Sequence, residues 1–173
     1  MKILVISGSR RTPAYSRVLA GLALDYALEK YGNAELLDLA VAPLENFRGF
    51  EAEYGEKTRA IVRQVSEADV FIICSPVYNG LLSSGIKNLF EFVDYKALEG
   101  RVAGFALMAS GRISYLQVQG QLQALMNYFR VISNPRAAYV NQADFDQELN
   151  LANKAVVTRM KRLIDETVGM KDW

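Results

Sequence analysis

Two hydrophobic patterns alternate along the chain. Short unbroken runs of aliphatic residues, the first being KILVIS (2–7), suit strands buried on both faces of a sheet. Between them lie longer stretches with apolar residues at helical spacing: over 16–31 these are Val18, Leu19, Leu22, Ala23, Tyr26 and Ala27. Ser16 is placed to cap that helix and Gly32 to end it. The alternation continues with a strand at AELLDL (34–39), an irregular stretch, a helix over 56–67 with Ile61, Val62 and Val65 inward, and a strand at DVFIICS (69–75). Then come a helix over 84–95, a strand at RVAGFALMA (101–109), and a helix opened by Ser114 with Gln117 at capping-box spacing. AAYV (137–140) reads as a short strand and 146–168 as a final amphipathic helix. Five strands alternating with five helices predict a parallel sheet wound on both faces by right-handed crossovers.

In such sheets ligands sit beyond the carboxyl ends of the strands, where the strand order reverses. The loop ISGSRRTPAYSR (6–17) lies there, with Gly8, the hydroxyls of Ser9 and Ser16, and three arginines. It suits an anion such as a phosphate at the start of a helix, and it is equally compatible with an ordinary polar connection. G-x-G-x-x-G is absent and no G-K-[ST] closes the loop, which disfavours both common nucleotide folds. The stretch after the third strand, CSPVYNGLLSSGIKNLFEFVDY (74–95), brings Pro76, Tyr78, Asn79 and Gly80 to the same end of the sheet. There an aromatic ring and a turn with free N–H groups could receive a flat heterocycle, while Tyr78 packed under the next helix is the plainer alternative.

Composition narrows the chemistry. The 173 residues, 51% apolar and 23% charged, fit one globular domain over 1–173 without repeats or linkers. A net charge of +1 with interspersed signs gives no footprint for nucleic acid or anionic lipid. No signal peptide or membrane-spanning run is recognisable, so a cytoplasmic location is expected. One cysteine and no histidine exclude an internal disulfide, a Cys/His zinc site and an imidazole base. Cys74 reads as a core residue, and a C-x₅-R phosphatase loop would need arginine where Gly80 stands.

The two loop motifs together resemble the NADPH-dependent FMN reductase family, flavodoxin-like proteins marked by G-S-x-R…S after strand 1 and P-x-Y-N…G-x-x-K-N after strand 3. Here these are Gly8, Ser9, Arg11 (with Arg10 beside it) and Ser16, then Pro76, Tyr78, Asn79, Gly80, Gly85, Lys87 and Asn88. The chain departs from the family pattern at Val77, where an acidic residue is common, and at SGR (110–112), where a glycine pair is common.

The resemblance implies a five-stranded sheet of order 2-1-3-4-5. It also implies an FMN phosphate held by Ser9, Arg10, Arg11, Ser16 and Arg17. Pro76, Val77, Tyr78, Asn79 and Gly80 would line the isoalloxazine edge, and Ser110, Gly111 and Arg112 its pyrimidine end. Hydride would pass from NADPH or NADH to flavin N5, then electrons to a small acceptor such as free flavin, a quinone, an azo compound or a metal oxyanion. No protein nucleophile is required, which agrees with the missing histidine. The alternatives are a flavodoxin-like FMN electron carrier, usually strongly acidic, and a receiver module, which would need an acidic cluster absent from SGSRR.

Two expectations concern the surface. The long stretch APLENFRGFEAEYGE (42–56), with Phe47, Phe50 and Tyr54, either anchors at the sheet edge or covers the flavin. On helix 3, Phe92 and Tyr95 fall outside the inward stripe. With Tyr115, Met126 and Tyr128 of helix 4 they predict a homodimer, or a tetramer, packed through these two helices.

Overall fold

The computed structural model of the chain describes residues 1–111 and 114–172. Five strands alternate with five α-helices: β1 (Ile3–Ser7), α1 (Tyr15–Tyr31), β2 (Ala34–Asp38), α2 (Glu56–Glu67), β3 (Val70–Pro76), α3 (Ser84–Glu91), β4 (Val102–Met108), α4 (Ser114–Tyr128), β5 (Ile132–Val140) and α5 (Lys154–Gly169). All paired strands run parallel in the order β2-β1-β3-β4-β5, the flavodoxin-like arrangement.

The three central strands are buried along their whole length. Because successive side chains point to opposite faces, Leu4, Ile6, Phe71, Ile73, Phe105 and Leu107 pack under α2, α3 and α4. Ile3, Val5, Val70, Ile72, Cys74 and Val102 pack under α1 and α5. From β1 the chain winds to β2 on one side, and the following crossover reaches β3 on the other. The loops after β1 and β3 therefore diverge and leave a crevice between them.

Four details depart from the sequence reading. The polar residues of SNPR hid the first part of β5, which begins at Ile132; an edge strand tolerates Pro135 because one side of its backbone needs no partner. α5 begins at Lys154 rather than 146. Asp146 accepts the N–H groups of Glu148 and Asn150 and folds that stretch into a turn, and Asn153 then caps the helix. Ser16 does not cap α1; Ala14 holds the cap position and supplies no side-chain hydrogen bond. The Ser114 hydroxyl donates to the Gly111 carbonyl (2.9 Å) rather than forming a capping box with Gln117.

The homodimer expectation loses part of its basis. α3 ends at Glu91, and Phe92 turns inward against Phe47 and Tyr54, with ring centroids 5.2 and 4.8 Å away. Tyr115 and Met126 are also buried, under the sheet face covered by α4. Tyr95 and Tyr128 remain exposed, with ring centroids 6.4 Å apart. No helix among the described residues is long and apolar enough to cross a membrane.

Candidate functional site

The chain leaves β1 pressed against α3. A Cβ at Gly8 would meet Ile86 Cδ1 at 2.4 Å, so only glycine lets the loop pass there. The Ser83 hydroxyl donates to the Gly8 carbonyl and accepts the Ile86 N–H, tying this loop to the start of α3. Ser9 is buried and its Oγ accepts the Arg11 N–H (3.0 Å). The same oxygen is hydrogen-bonded to the Tyr78 hydroxyl across the crevice (2.9 Å), and the Arg11 guanidinium lies 5.3 Å from the centre of the Tyr78 ring. These contacts bridge the loops after β1 and β3.

At the start of α1 several donors have no partner among the described residues. With Ala14 at the cap, no side chain serves the first-turn amides of Tyr15 and Ser16. Ser16 is 1% exposed, and its hydroxyl has no hydrogen-bond partner among the described residues either. Ser7, beneath the same loop, has a buried hydroxyl in the same state. Arg10 and Arg11 are exposed and make no ion pair among the described residues, which leaves positive charge uncompensated beside those donors.

Beyond β3 the chain turns sharply. Tyr78 and Leu81 exchange both backbone hydrogen bonds (3.0 and 2.9 Å) around Asn79 and Gly80, whose φ values are 52° and 77°. Positive φ at both central positions is the signature of a type I′ turn, for which Asn-Gly is the preferred pair. α4 braces the turn: Gln121 Oε1 accepts the Leu82 N–H (2.8 Å), and Gln117 Oε1 lies 3.0 Å from where a Gly80 Cβ would stand. The N–H groups of Asn79 and Gly80 have no partner among the described residues.

A cleft of about 210 Å³ opens between these loops, lined by Arg11, Pro13, Ala14, Tyr15, Ser16, Pro76, Val77, Tyr78, Met108, Ala109, Ser110 and Gln142. Six residues singled out in the sequence meet here: Arg11, Ser16, Pro76, Val77, Tyr78 and Ser110. Ser9 sits behind Tyr78 rather than on the wall. Arg10 lies over Gly85, where an added Cβ would meet its Cγ at 3.0 Å. Arg17 turns to Asp38 at the end of β2, its Nε 2.7 Å from Oδ2. Asn79 and Gly80 form the adjacent turn, and the Gly111 carbonyl is taken by Ser114. Arg112 lies outside the described residues.

Sequence reasoning missed Gln142. It lies in the short 3₁₀ turn after β5, which Asn141 and Asp144 close with a reciprocal capping box. The rule that led to the loops after β1 and β3 applies equally to the loop after β5.

A sequence model of the NADPH-dependent FMN reductases matches residues 1–145. The chain belongs to this family. The reductase is 30% identical over 137 residues to the NAD(P)H-dependent FAD/FMN reductase of Geobacillus thermodenitrificans, covering 79% of this chain and 74% of that one. It is 29% identical over 150 residues to an FMN reductase (NADPH) of Pseudomonas aeruginosa, covering 84% of this chain and 79% of that one. An oxidoreductase from Corynebacterium diphtheriae shares the fold with a TM-score of 0.81 at 21% identity, covering 98% of this chain and 96% of that one. The reductase is thus an NAD(P)H-dependent oxidoreductase whose cofactor is FMN.

Other motif residues have structural work. Asn88 accepts the Phe47 N–H (2.9 Å) and donates to the Glu45 carbonyl (2.8 Å), clamping the 42–56 loop onto α3. Lys87 pairs with Glu91 one turn along the helix. The 42–56 loop contributes nothing to the cleft wall; of the two readings left open, anchoring is the one seen. Burial pushes the Cys74 thiol up to about 12, which keeps it protonated and unreactive.

Proposed function

We propose that residues 1–173 work as one flavin-binding domain in which the cleft holds FMN, with its phosphate at the start of α1. The carrying observation is the buried, unpartnered Ser16 hydroxyl beside free first-turn amides and the unpaired Arg11. An anionic phosphate satisfies all three at once, through charge-assisted hydrogen bonds and the positive end of the helix dipole. Pro76, Val77 and Tyr78 then border the ring system, and the free N–H groups of Asn79 and Gly80 face its reactive edge. Ser110, Met108 and Ala109 close the other side, where Gln142 offers an amide that can both donate and accept.

FMN, when bound, takes hydride from NADH or NADPH and passes electrons to a second acceptor, for which free flavins, quinones, azo compounds and metal oxyanions are the candidates. The protein's own contribution is to fix the ring edge on a rigid turn and to leave one face open for each substrate in succession. A near-neutral chain with arginines in the phosphate loop favours this over an electron carrier. A cytoplasmic location, where NADH and NADPH are at hand, is part of this proposal. A homodimer through α3 and α4 rests on the exposed pair Tyr95 and Tyr128, and sedimentation of wild type against Tyr95→Ser with Tyr128→Ser tests it.

Anaerobic titration is the deciding experiment. FMN should bind at micromolar concentration, NADH or NADPH should bleach it, and an added quinone should restore its colour. Bound FMN left unreduced by both nicotinamides over minutes would turn the assignment to a carrier. FAD is the informative competitor, since the Geobacillus relative is named for both flavins. A terminal monophosphate is what the start of α1 accommodates, so FAD should bind more weakly.

A further inference from the structure

β5 is an outermost strand of the sheet, and an open edge normally invites a further strand. This edge is blunted. The register with β4 shifts between Ser133 and Ala137. Within that stretch Asn134 Oδ1 accepts the Arg136 N–H (2.9 Å), Pro135 has no N–H to offer, and the Pro135 carbonyl accepts from Gln119 Nε2 (3.1 Å). Further along, Arg159 Nη1 donates to the Tyr139 carbonyl (3.0 Å). The backbone groups that an added strand would pair with are largely taken, and what stays open beside α5 is a groove of side chains. Two adjoining cavities of about 310 and 380 Å³ form it, with Pro135, Arg136 and Glu166 common to both. It shares no lining residue with the cleft among the described residues.

The two cavities differ in chemistry. In the first, Arg136, Arg159 and Arg162 face a single carboxylate, Glu166, whose Oε1 accepts from both Arg136 Nη1 (2.9 Å) and Arg162 Nε (2.8 Å). A guanidinium carries five N–H donors, so each arginine keeps donors to spare, and one glutamate leaves the positive charge uncompensated. The second cavity runs over Pro135 to Gly169 and Met170, and a Cβ at Gly169 would meet nothing within 4 Å. We propose that this groove is a second binding site, for an aryl carboxylate or sulfonate. Its acid group takes the spare donors of the three arginines, and its ring lies over Pro135 and Met170, where a guanidinium plane can stack on it. Glu166 holds two of the arginines in place and competes with the ligand for them. An inorganic anion would leave the apolar half empty, and a neutral ring would leave the charge unmet.

The probe is 2-naphthoate, with the neutral 2-naphthamide as its control, followed by amide chemical-shift titration of the protein with and without one equivalent of FMN. Thermal melts check that each variant folds. Naphthoate should shift the Ala137, Leu163 and Gly169 amides along a saturating curve that FMN leaves unchanged, and naphthamide should bind roughly tenfold more weakly or worse. Replacing Arg159→Gln together with Arg162→Gln should weaken naphthoate roughly tenfold or more. Glu166→Gln should tighten it, because the competitor for the arginines is gone while all three remain. Gly169→Leu keeps every charge, has room for its side chain at the last position of α5, and should block the apolar half and with it the binding. Equal affinities for acid and amide overturn the proposal, as does weaker binding in Glu166→Gln or undiminished binding in Gly169→Leu. Shifts that do not saturate, or that FMN displaces to the cleft residues, overturn it as well.

Discussion

The loops that follow β1 and β2 are both long, polar and close to the carboxyl edge of the sheet, yet their hydrogen bonding differs. In the 42–56 loop the polar groups are used internally. Glu45 accepts the Gly55 N–H and the Thr58 hydroxyl at 2.7 and 2.9 Å, Tyr54 bridges the Arg48 N–H and the Gly49 carbonyl, and Asn88 holds two backbone groups from α3. In the loop after β1, a buried hydroxyl and two helix amides have no partner among the described residues, and Arg10 and Arg11 make no ion pair there. A loop whose groups all pair with one another is finished as folded. One that leaves buried donors idle carries a standing cost that only a ligand removes. Length and aromatic content alone would point to the 42–56 loop, whereas the cleft is lined by the loop after β1.

This contrast is sharpest where stability and affinity separate. Phe92→Ala empties the cluster that the second loop packs on; it should cost about 3–5 kcal/mol of stability with FMN affinity retained, read from denaturant melts and flavin titration. Ser16→Ala should do the reverse. FMN binding should weaken by about 1.5–3 kcal/mol, while the ligand-free protein melts no lower than wild type, since the lost hydroxyl had no partner and alanine is the better helix former. A lower melting temperature there would mean that the serine pairs with protein and would dissolve the contrast.

Gly80→Val lies between the two cases. Its φ of 77° costs a side-chain-bearing residue about 1–2 kcal/mol, and the Cβ would crowd Gln117, so stability and flavin affinity should both decline while the circular dichroism stays native. The smallest effect is acid loosening of the 42–56 loop. The Gly55 N–H, then the Thr58 hydroxyl, hold the Glu45 carboxyl below its ordinary value of 4.5. The clasp is complete above that value and is lost as pH falls through the lower folded-state value. The Gly55 amide resonance should titrate with a midpoint under 4.5, and amides of the β1 loop should not follow it.

Most of the sheet is legible in the sequence because both faces of its central strands are buried, which imposes unbroken apolar runs such as ILVIS and VFIIC. β5 is less so. As an edge strand it keeps exposed positions, and Ser133, Asn134 and Pro135 read locally as a turn. The start of α5 was obscured for a related reason: Asp146 and Asn153 both look like caps, and only the fold decides which one opens the helix. In the site, the residue types were readable and their partners were not. Ser9 and Arg17 carry suitable groups for a phosphate, and in the fold one is hydrogen-bonded to Tyr78 and the other paired with Asp38, through contacts that span 69 residues and the width of a strand pair. Of the aromatic residues counted toward a dimer, Phe92 turns inward because α3 ends before it, whereas Tyr95 and Tyr128 stay exposed.

The buried Cys74 has a practical consequence. It ends the tightly packed run of β3 with no exposed surface, and its thiol stays protonated throughout the neutral range. Maleimide and iodoacetamide reagents should therefore leave the native chain untouched, and a single introduced cysteine becomes the sole handle without any background substitution. Leu81, 57% exposed beside the Asn79–Gly80 turn, is a suitable position. A dye on Leu81→Cys would report from the edge of the cleft as each substrate arrives and leaves.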